Sequence, residues 1–512
     1  MRRKLPLGIQ TFRKIREQNC YYVDKTPYLA RLVEEGTHYF LSRPRRFGKS
    51  LFVDTLKELF EGNEPLFRGL AIHDRWDWSI RRPVIRFDFG GGNYDTPELL
   101  REGVLEQLTE IESAAGVTPR HRTAPGRLRD LIRALREDSG QRVVVLVDEY
   151  DKPILDALDD PERAKTHRDF LRGFYGTVKS ADAHLELSFF TGVSKFTRVS
   201  LFSDLNNLTD ITLDPRFANV CGYTENDLDA VFAPELPGLD RERIREWYNG
   251  YNWLGGERVY NPYDVLLFFT TRKFKAHWFG TATPRFLIAA LRRHGILSVD
   301  LDGMTADDDL LSAFDVEETA PEAVLFQSGY LTIVDEKDEG DGPVYRLGYP
   351  NREVRQSLNR QLLRAVTPAR RPLSGARLRE LFAANDFAGL EALFRSCFDA
   401  IPYEWHTRNA IARYEGYYAS VLYSHLAAAG MDVAAEDSSN RGRVDLAVRC
   451  GGQVYLFECK VTEQEPSGAA LAQLRERDYA AKYRASGRPV HLIGIEFSRE
   501  TRNIVAFETA PA

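Results

Sequence analysis

The chain has little of what would place it outside a cell or within a membrane. Its 512 residues include five cysteines, Cys20, Cys221, Cys397, Cys450 and Cys459, with no CxxC pair and no histidines at zinc spacing. This excludes a disulfide framework and a zinc ribbon, and reads as reduced thiols in a cytosolic protein. No run of about 18 apolar residues occurs, so no membrane span is expected. The basic N-terminus, MRRKLPLGIQTFRKIREQN, lacks the apolar core of about 7–15 residues that a secretory signal carries. Positive charge is not in excess: 69 Lys and Arg stand against 75 Asp and Glu, a net −6. That rules out a globally basic nucleic-acid coat, though not a local basic cleft. Internal repeats and low-complexity tracts are missing as well.

What is present is ample material for packed cores, with 43% hydrophobic and 12% aromatic residues. The length implies roughly two to four domains. To about residue 235, short apolar strands (His38–Leu41, Val84–Phe89, Val143–Val147, Leu185–Phe190) alternate with helical stretches (Ser50–Phe60, Pro97–Ala114, Gly126–Glu137). Runs such as VVVLV suit strands buried on both faces, and the alternation predicts an α/β domain with a parallel sheet. Residues 236–365 are rich in aromatics (REWYNGYNW, NPYDVLLFF) and read as a mostly helical lid or coupling region. Residues 366–399 form a connector, polar at first and then helical over Leu378–Phe398. From 400 to 512 the order is a long helix near Asn409–Ala429, strand, strand, a Gly451-Gly452 turn, strand, helix Ala469–Tyr483 and strand Val490–Phe497. This is a mixed α/β domain.

The strand His38–Leu41 runs into Ser42-Arg43-Pro44-Arg45-Arg46-Phe47-Gly48-Lys49-Ser50, and a helix follows. A phosphate loop needs this context: backbone N–H groups at a helix N-terminus cradle phosphates, a lysine neutralises charge, and a Ser or Thr hydroxyl ligates Mg²⁺. The pattern is incomplete, because the first glycine of GxxxxGK[ST] is Arg43; Pro44 can help fix the turn. A GKS tripeptide before a helix also arises by chance. The strand Val143–Val147, however, ends in Asp148-Glu149, the arrangement in which Asp holds the Mg²⁺ shell and Glu polarises the attacking water.

Near the C-terminus, GRVDLAVR carries Asp445 and VYLFECKV carries Glu458 and Lys460. Residues i and i+2 of a strand share a face, so Glu458 and Lys460 project together, and Asp445 on the adjacent hairpin strand can join them. Two carboxylates and a lysine on one sheet face make a Mg²⁺ site with a cation beside the attacking water, suited to a phosphodiester. An ordinary exposed face with a Glu–Lys pair is the plainer reading of the same spacing. Residues 400–512 hold 13 Lys and Arg against 14 Asp and Glu, which weakens any case for tight nonspecific DNA binding.

The segments LPLGIQTFRKIREQNCYYVDKTPYLARL, FLSRPRRFGKSLFVDTLKELFEG, VVVLVDEYDKPIL and FFTGVSKFTRVSLFSDLNNLTDITLDPRFANVCGYTENDL resemble the AAA-ATPase-like family over roughly residues 5–235. The most specific block is RPRRFGKS, so Arg43 reads as a family variant of the loop. The resemblance implies an ATP site formed by Arg45, Arg46, Phe47, Gly48, Lys49 and Ser50. Lys49 would sit on the β/γ-phosphates, Ser50 and Asp148 on Mg²⁺, and Glu149 would be the catalytic base. Thr191 reads as a polar sensor or, equally, as a hydroxyl capping a strand end. Arg198 reads as an arginine finger from a neighbouring subunit or as a surface arginine, which leaves assembly into an oligomer open. Asp24-Lys25-Thr26 reads as a border of the nucleotide or as a helix-starting turn. The order Glu…Asp…Glu-x-Lys over about residues 400–507 resembles the PD-(D/E)XK nuclease superfamily. By that resemblance Asp445 and Glu458 bind metal, Lys460 activates water, Glu415 is the supporting helix carboxylate and Gln473 is a further helix residue facing the site. The expectation is an ATP- and Mg²⁺-using cytoplasmic ATPase joined to a nuclease that acts on nucleic acid, DNA first, without membrane contact. Its rival is a nucleotide-dependent switch or scaffold whose nuclease-like domain binds nucleic acid or protein without cutting.

Overall fold

The computed structural model describes residues 2–196, 207–278, 287, 291, 296, 298–312, 320–338, 340, 342–366, 373–399, 415–439, 442–463, 465–484 and 487–512. Arg198 lies outside them, as do residues 409–414 of the expected long helix. The chain forms two compact units, one of Met1–Gly280 with Thr305–Asn351 and one of Thr281–Met304 with Arg352–Ala512.

The first unit is built on a five-stranded sheet in the order β2-β3-β4-β1-β5. Its strands are β1 (His38–Ser42), β2 (Val84–Asp88), β3 (Val143–Asp148), β4 (Leu185–Gly192) and β5 (Thr209–Asp210), and all are paired in parallel. Every residue of β1 and β3 is buried, which is why their sequences are near-continuously apolar. β4 lies between β1 and β3, so Thr191 is in register with Leu41 on one side and Asp148 on the other.

Compactness draws its boundary elsewhere than residue 235. An aromatic core joins Tyr21 and Val23 near the N-terminus to Phe232, Trp247, Tyr248, Phe268 and Phe269, so residues 236–280 pack as part of the P-loop unit. The middle region is mostly helical, with helices Arg241–Tyr248, Pro262–Thr271 and Pro321–Gln327. It also carries an antiparallel sheet that its aromatic-rich sequence did not suggest, β6 (Thr305–Asp307), β7 (Thr332–Asp338) and β8 (Pro343–Gly348), in the order β6-β8-β7.

The second unit holds a mixed sheet in the order β13-β12-β11-β10-β9, formed by β9 (Asp432–Ser439), β10 (Gly442–Cys450), β11 (Gln453–Thr462), β12 (Val490–Ser498) and β13 (Ile504–Pro511). Only β11 and β12 pair in parallel. Cys450 pairs with Gln453, and Gly451 and Gly452 between them have φ of 58° and 79°. Two central residues of positive φ match the twist of a tight hairpin, which is what fixes the β10–β11 register. Two helices expected to be continuous are each broken. Leu378–Phe398 is the pair Gly375–Ala383 and Phe387–Phe398, separated at Asn385 with φ 52° and restarted by Asp386, whose carboxylate accepts from the Gly389 N–H at 2.9 Å. Ala469–Tyr483 ends first at Arg477, with Asp478 at φ 46°, and resumes at Ala481.

Helix Glu415–Ala428 buries Tyr417, Tyr418, Leu422, Tyr423, Leu426 and also His425. Neither ring nitrogen of His425 has a hydrogen-bond partner among the described residues. Burial pulls its pKa from 6.5 down to about 4, so the folded chain keeps the imidazole neutral where the unfolded chain protonates it. Stability is therefore lost as pH falls from about 6.5 towards 4, by up to about 3 kcal/mol from this group. His425→Leu is expected to flatten that limb in chemical denaturation followed from neutral pH to about pH 4; an unchanged slope would show that other groups carry it.

Candidate functional site

The phosphate loop joins β1 to helix Lys49–Phe60. Arg46 and Gly48 both have positive φ, 69° and 98°, and alternating backbone of this kind turns successive N–H groups towards one anion. Lys49 is buried, and its ammonium donates to the Arg43 and Pro44 carbonyls at 2.9 and 3.0 Å. Burial lowers its pKa, opposed by the nearby Glu149 and Asp148 carboxylates. A lysine so placed at the start of the helix is available to a phosphate.

Arg43 is fully buried at the position where a glycine is usual. Its guanidinium donates to the Ser42 and Thr212 carbonyls, each at 2.8 Å, and to those of Phe217 and Ala218 at 3.2 and 3.4 Å. It also lies over the Trp253 ring at 4.3 Å. Phe47 is buried too, edge-on to Tyr251 and Trp253 at 4.7 and 5.3 Å, and Arg46 stacks over Tyr263 at 3.9 Å. The side chains of residues 43, 46 and 47 are thus engaged with protein, so Phe47 and Arg46 offer a phosphate their backbone; the Arg45 side chain is exposed.

The acidic end of β3 stands beside this loop. Asp148 is fully buried, and neither of its oxygens has a hydrogen-bond partner of good geometry, although Ser50 lies alongside. Burial, helped by Asp88, pushes its pKa up to about 6 against Ser50, Lys49 and Arg86. An orphaned carboxylate next to a serine hydroxyl fits a hard divalent cation, which Ser50 and Asp148 would hold. Glu149 follows at φ 50°, a left-handed conformation that costs a non-glycine residue of order 1 kcal/mol and is found most often where function holds it. Thr191 is buried between the two strands and its hydroxyl donates to the Leu41 carbonyl at 2.8 Å. Asp24, Lys25 and Thr26 behave as a helix start: Asp24 accepts from the Thr26 and Ala71 N–H groups, and Lys25 pairs with Asp227 at 3.0 Å.

Sequence reasoning missed several residues here. Asp151 is buried and accepts from the Val193 and Ser194 N–H groups at 3.0 and 2.6 Å, fixing the loop after β4. Arg86 on β2 reaches Asp54 at 2.8 Å and Asp148 at 3.6 Å. The signal for Asp151 was the second aspartate of DEYD; nothing in the β2 sequence singled out Arg86.

The second unit brings together all five of its expected residues. Leu446 pairs with Phe457, which sets Asp445 and Glu458 at the same end of the hairpin. Glu458 is buried; one oxygen accepts from the Gln473 amide and the other has no hydrogen-bond partner among the described residues. Burial and Asp445 push its pKa up to about 7, against Lys460. The Lys460 ammonium lies 2.9 Å from Glu415 and 3.6 Å from Glu458. Burial works against its charge, but Glu415 offsets this and the lysine pKa is raised. Asp445 accepts from the Cys459 N–H at 2.8 Å. Among the described residues no cluster of three or more His, Cys, Asp or Glu forms a closed metal cage. The pair Asp445 and Glu458, with its one partnerless oxygen, fits a Mg²⁺-type ion that keeps part of its water shell. Glu496, not foreseen, is buried on β12 and accepts from the Ser467 N–H at 2.7 Å, tying down the start of the Gln473 helix.

Fold and sites together define a parallel-sheet unit with a P-loop-type GKS loop, and a mixed-sheet unit that gathers carboxylates and a lysine at one end of a hairpin. The family profile described as "Predicted AAA-ATPase" matches residues 6–202, and that of the PD-(D/E)XK nuclease superfamily matches residues 413–507. The chain is 56% identical over 511 residues, 99% of its length and 98% of the relative's, to the "Uncharacterized protein in vnfD 5'region" of Azotobacter chroococcum mcd 1. The chain belongs to the AAA-ATPase-like family and carries a C-terminal PD-(D/E)XK nuclease-superfamily domain. No helix among the described residues is long and apolar enough to cross a membrane.

Restoring the usual glycine tests the reading of Arg43. Arg43→Gly strips the Thr212, Phe217 and Ala218 carbonyls of a charged donor and leaves a hole beneath Trp253, so it is expected to destabilise the protein by at least about 3 kcal/mol. Chemical denaturation checks this; an unchanged or higher midpoint would show that the arginine is incidental.

Proposed function

We propose that this chain is an ATP-dependent nucleic-acid-processing enzyme, in which an ATP- and Mg²⁺-binding N-terminal unit governs metal-dependent phosphodiester cleavage, of DNA, by the C-terminal unit. The carrying observation is the assembly of Glu415, Asp445, Glu458, Lys460 and Gln473 on one end of a hairpin, with a Glu458 oxygen left for a cation. A divalent ion held by Asp445 and Glu458 would supply Lewis acidity towards a phosphate and lower the pKa of a bound water. Gln473 fixes the orientation of Glu458. Lys460, held charged by Glu415, orients the attacking water and faces the developing phosphate charge. In the N-terminal unit Lys49 neutralises the β/γ-phosphates, Ser50 and Asp148 take the ion, and Glu149 orients the water. Five free cysteines, four of them buried, accord with a cytoplasmic setting.

A second reading, a nucleotide-dependent switch whose nuclease-like domain binds without cutting, draws on Thr191. Its hydroxyl proton is committed to the Leu41 carbonyl, which favours binding over fast turnover. One set of measurements separates the two. Full-length protein with Mg²⁺ or Mn²⁺ and ATP is expected to cut linear DNA. Asp445→Ala is expected to abolish cutting and metal binding by calorimetry, and Lys49→Ala to weaken nucleotide binding at least about tenfold. Metal binding without cleavage of single-stranded, double-stranded or structured nucleic acids would establish the switch.

A further inference from the structure

One four-residue stretch of the middle region, Gly250–Trp253, meets the phosphate loop through Tyr251 and Trp253 and, through Gly250, the place where the chain leaves the first unit. The Tyr251 and Trp253 rings are stacked 6.1 Å apart with 6° between their planes. Phe47 of the loop lies edge-on to both, and the Arg43 guanidinium covers Trp253. Gly250, three residues before Trp253 on the far side of Tyr251, has φ 128°, and a Cβ built there would stand 1.8 Å from the Pro350 carbonyl oxygen. Backbone therefore meets backbone at that point, and only glycine permits it. Between these contacts Asn252 is pinned to β7: its N–H donates to the Thr332 hydroxyl at 2.8 Å and its amide to the Ile333 carbonyl at 3.3 Å. Gly329, just before β7, packs its backbone on Pro44 of the loop, where an added Cβ would fall 2.8 Å from the proline ring. Pro350 and Asn351 are the last residues of the first unit, and helix Arg352–Val366 opens the next stretch of the second.

We propose that Gly250–Trp253 is a relay strap: it positions the phosphate loop through Tyr251 and Trp253 and passes the state of that loop to Pro350, and so along the chain into helix Arg352–Val366. The proposal rests on the reading of the loop as a nucleotide site and adds the route by which that site governs the second unit. The physics is that of close packing. A planar stack clamped between a buried guanidinium and a buried phenyl ring has no void to absorb a shift, so the displacement goes to whatever the same four residues touch next. Pro350 is that neighbour, held without an intervening side chain. The strap acts through the loop and not on the phosphates, so Trp253 and Tyr251 are positioning residues.

Hydrogen–deuterium exchange of the full-length protein with and without ATP–Mg²⁺ tests this, because a purely structural role for the strap would not make exchange at a remote segment depend on nucleotide. In the wild type, protection is expected at residues 43–50, 249–253 and 349–358 together. In Trp253→Ala at saturating ATP, protection should persist at 43–50 and be lost at 349–358, and Trp253→Phe, which keeps a ring under Arg43, should restore it. Where Trp253→Ala does not fold, Tyr251→Leu, still apolar but without the ring that stacks on Trp253, takes its place with the same expected loss. Nucleotide-dependent protection at 43–50 without any at 349–358 in the wild type would overturn the relay, as would a Trp253→Ala protein that responds like the wild type. Absence of protection at 43–50 in the wild type would instead overturn the nucleotide reading itself, and the relay with it.

Discussion

A guanidinium sealed from water must find partners for its donors, and in this protein that requirement organises the nucleotide unit. Arg43 stays charged in a fully buried position, where burial, opposed by Cys221, Asp210 and Tyr28, pulls its pKa down to about 10. The main-chain carbonyls of Ser42, Thr212, Phe217 and Ala218 have to converge on it, and an aromatic face has to cover it. Three of those carbonyls come from the segment after β5, and the aromatic face comes from the middle region. A glycine at this position would demand nothing of either. The arginine therefore turns a local phosphate loop into a structure that exists only when residues some 170 and 210 positions later are in place, and it explains why residues 236–280 pack into the same compact unit.

The two acidic centres share a second constraint. Each sets a deeply buried carboxylate beside a lysine and leaves at least one of its oxygens without a donor, Asp148 in one unit and Glu458 in the other. A buried carboxylate oxygen without a hydrogen-bond donor is unfavourable, and proteins usually escape it by taking up a proton or binding a cation. Both carboxylates have raised pKa values, about 6 and about 7. They differ in how the lysine is held. Lys49 donates to two backbone carbonyls of its own loop, partners that a phosphate can replace. Lys460 is clamped by the Glu415 carboxylate, a charged partner that keeps it protonated. The first arrangement suits reversible binding of a polyanion, and the second suits holding a charge in place during a reaction.

The sequence was most informative where chemistry and periodicity coincide. The apolar strands before GKS and DE lie in the sheet as read, because a strand buried on both faces has few alternatives. The C-terminal group was legible for the same reason: period-2 alternation puts Glu458 and Lys460 on one face, and Gly451-Gly452 fixes the hairpin that brings Asp445 to them. What stayed hidden depends on tertiary partners. A lone arginine in place of glycine reads as a loss until Trp253 is seen above it. Arg86 looks like any strand arginine until Asp54 and Asp148 appear on either side. The breaks at Asn385 and Asp478 escaped because neither carries the glycine or proline that marks a helix end; asparagine and aspartate tolerate the left-handed conformation well enough to stop a helix unannounced.

The same reasoning separates binding from turnover at the first site. Nucleotide binding needs the backbone concavity at Arg46–Gly48, the lysine and an acidic group for the ion, and the loop supplies these while its larger side chains are engaged elsewhere. Turnover further needs a polar group free to sense the γ-phosphate and a positive charge to meet the transition state. Thr191 has committed its proton to β1, although its oxygen lone pairs can still accept one. Arg86 is a cation already within 3.6 Å of Asp148, but it is shared with Asp54, so moving it towards a phosphate would expose a buried acid on the helix that follows the loop. In this geometry hydrolysis requires a rearrangement that binding does not.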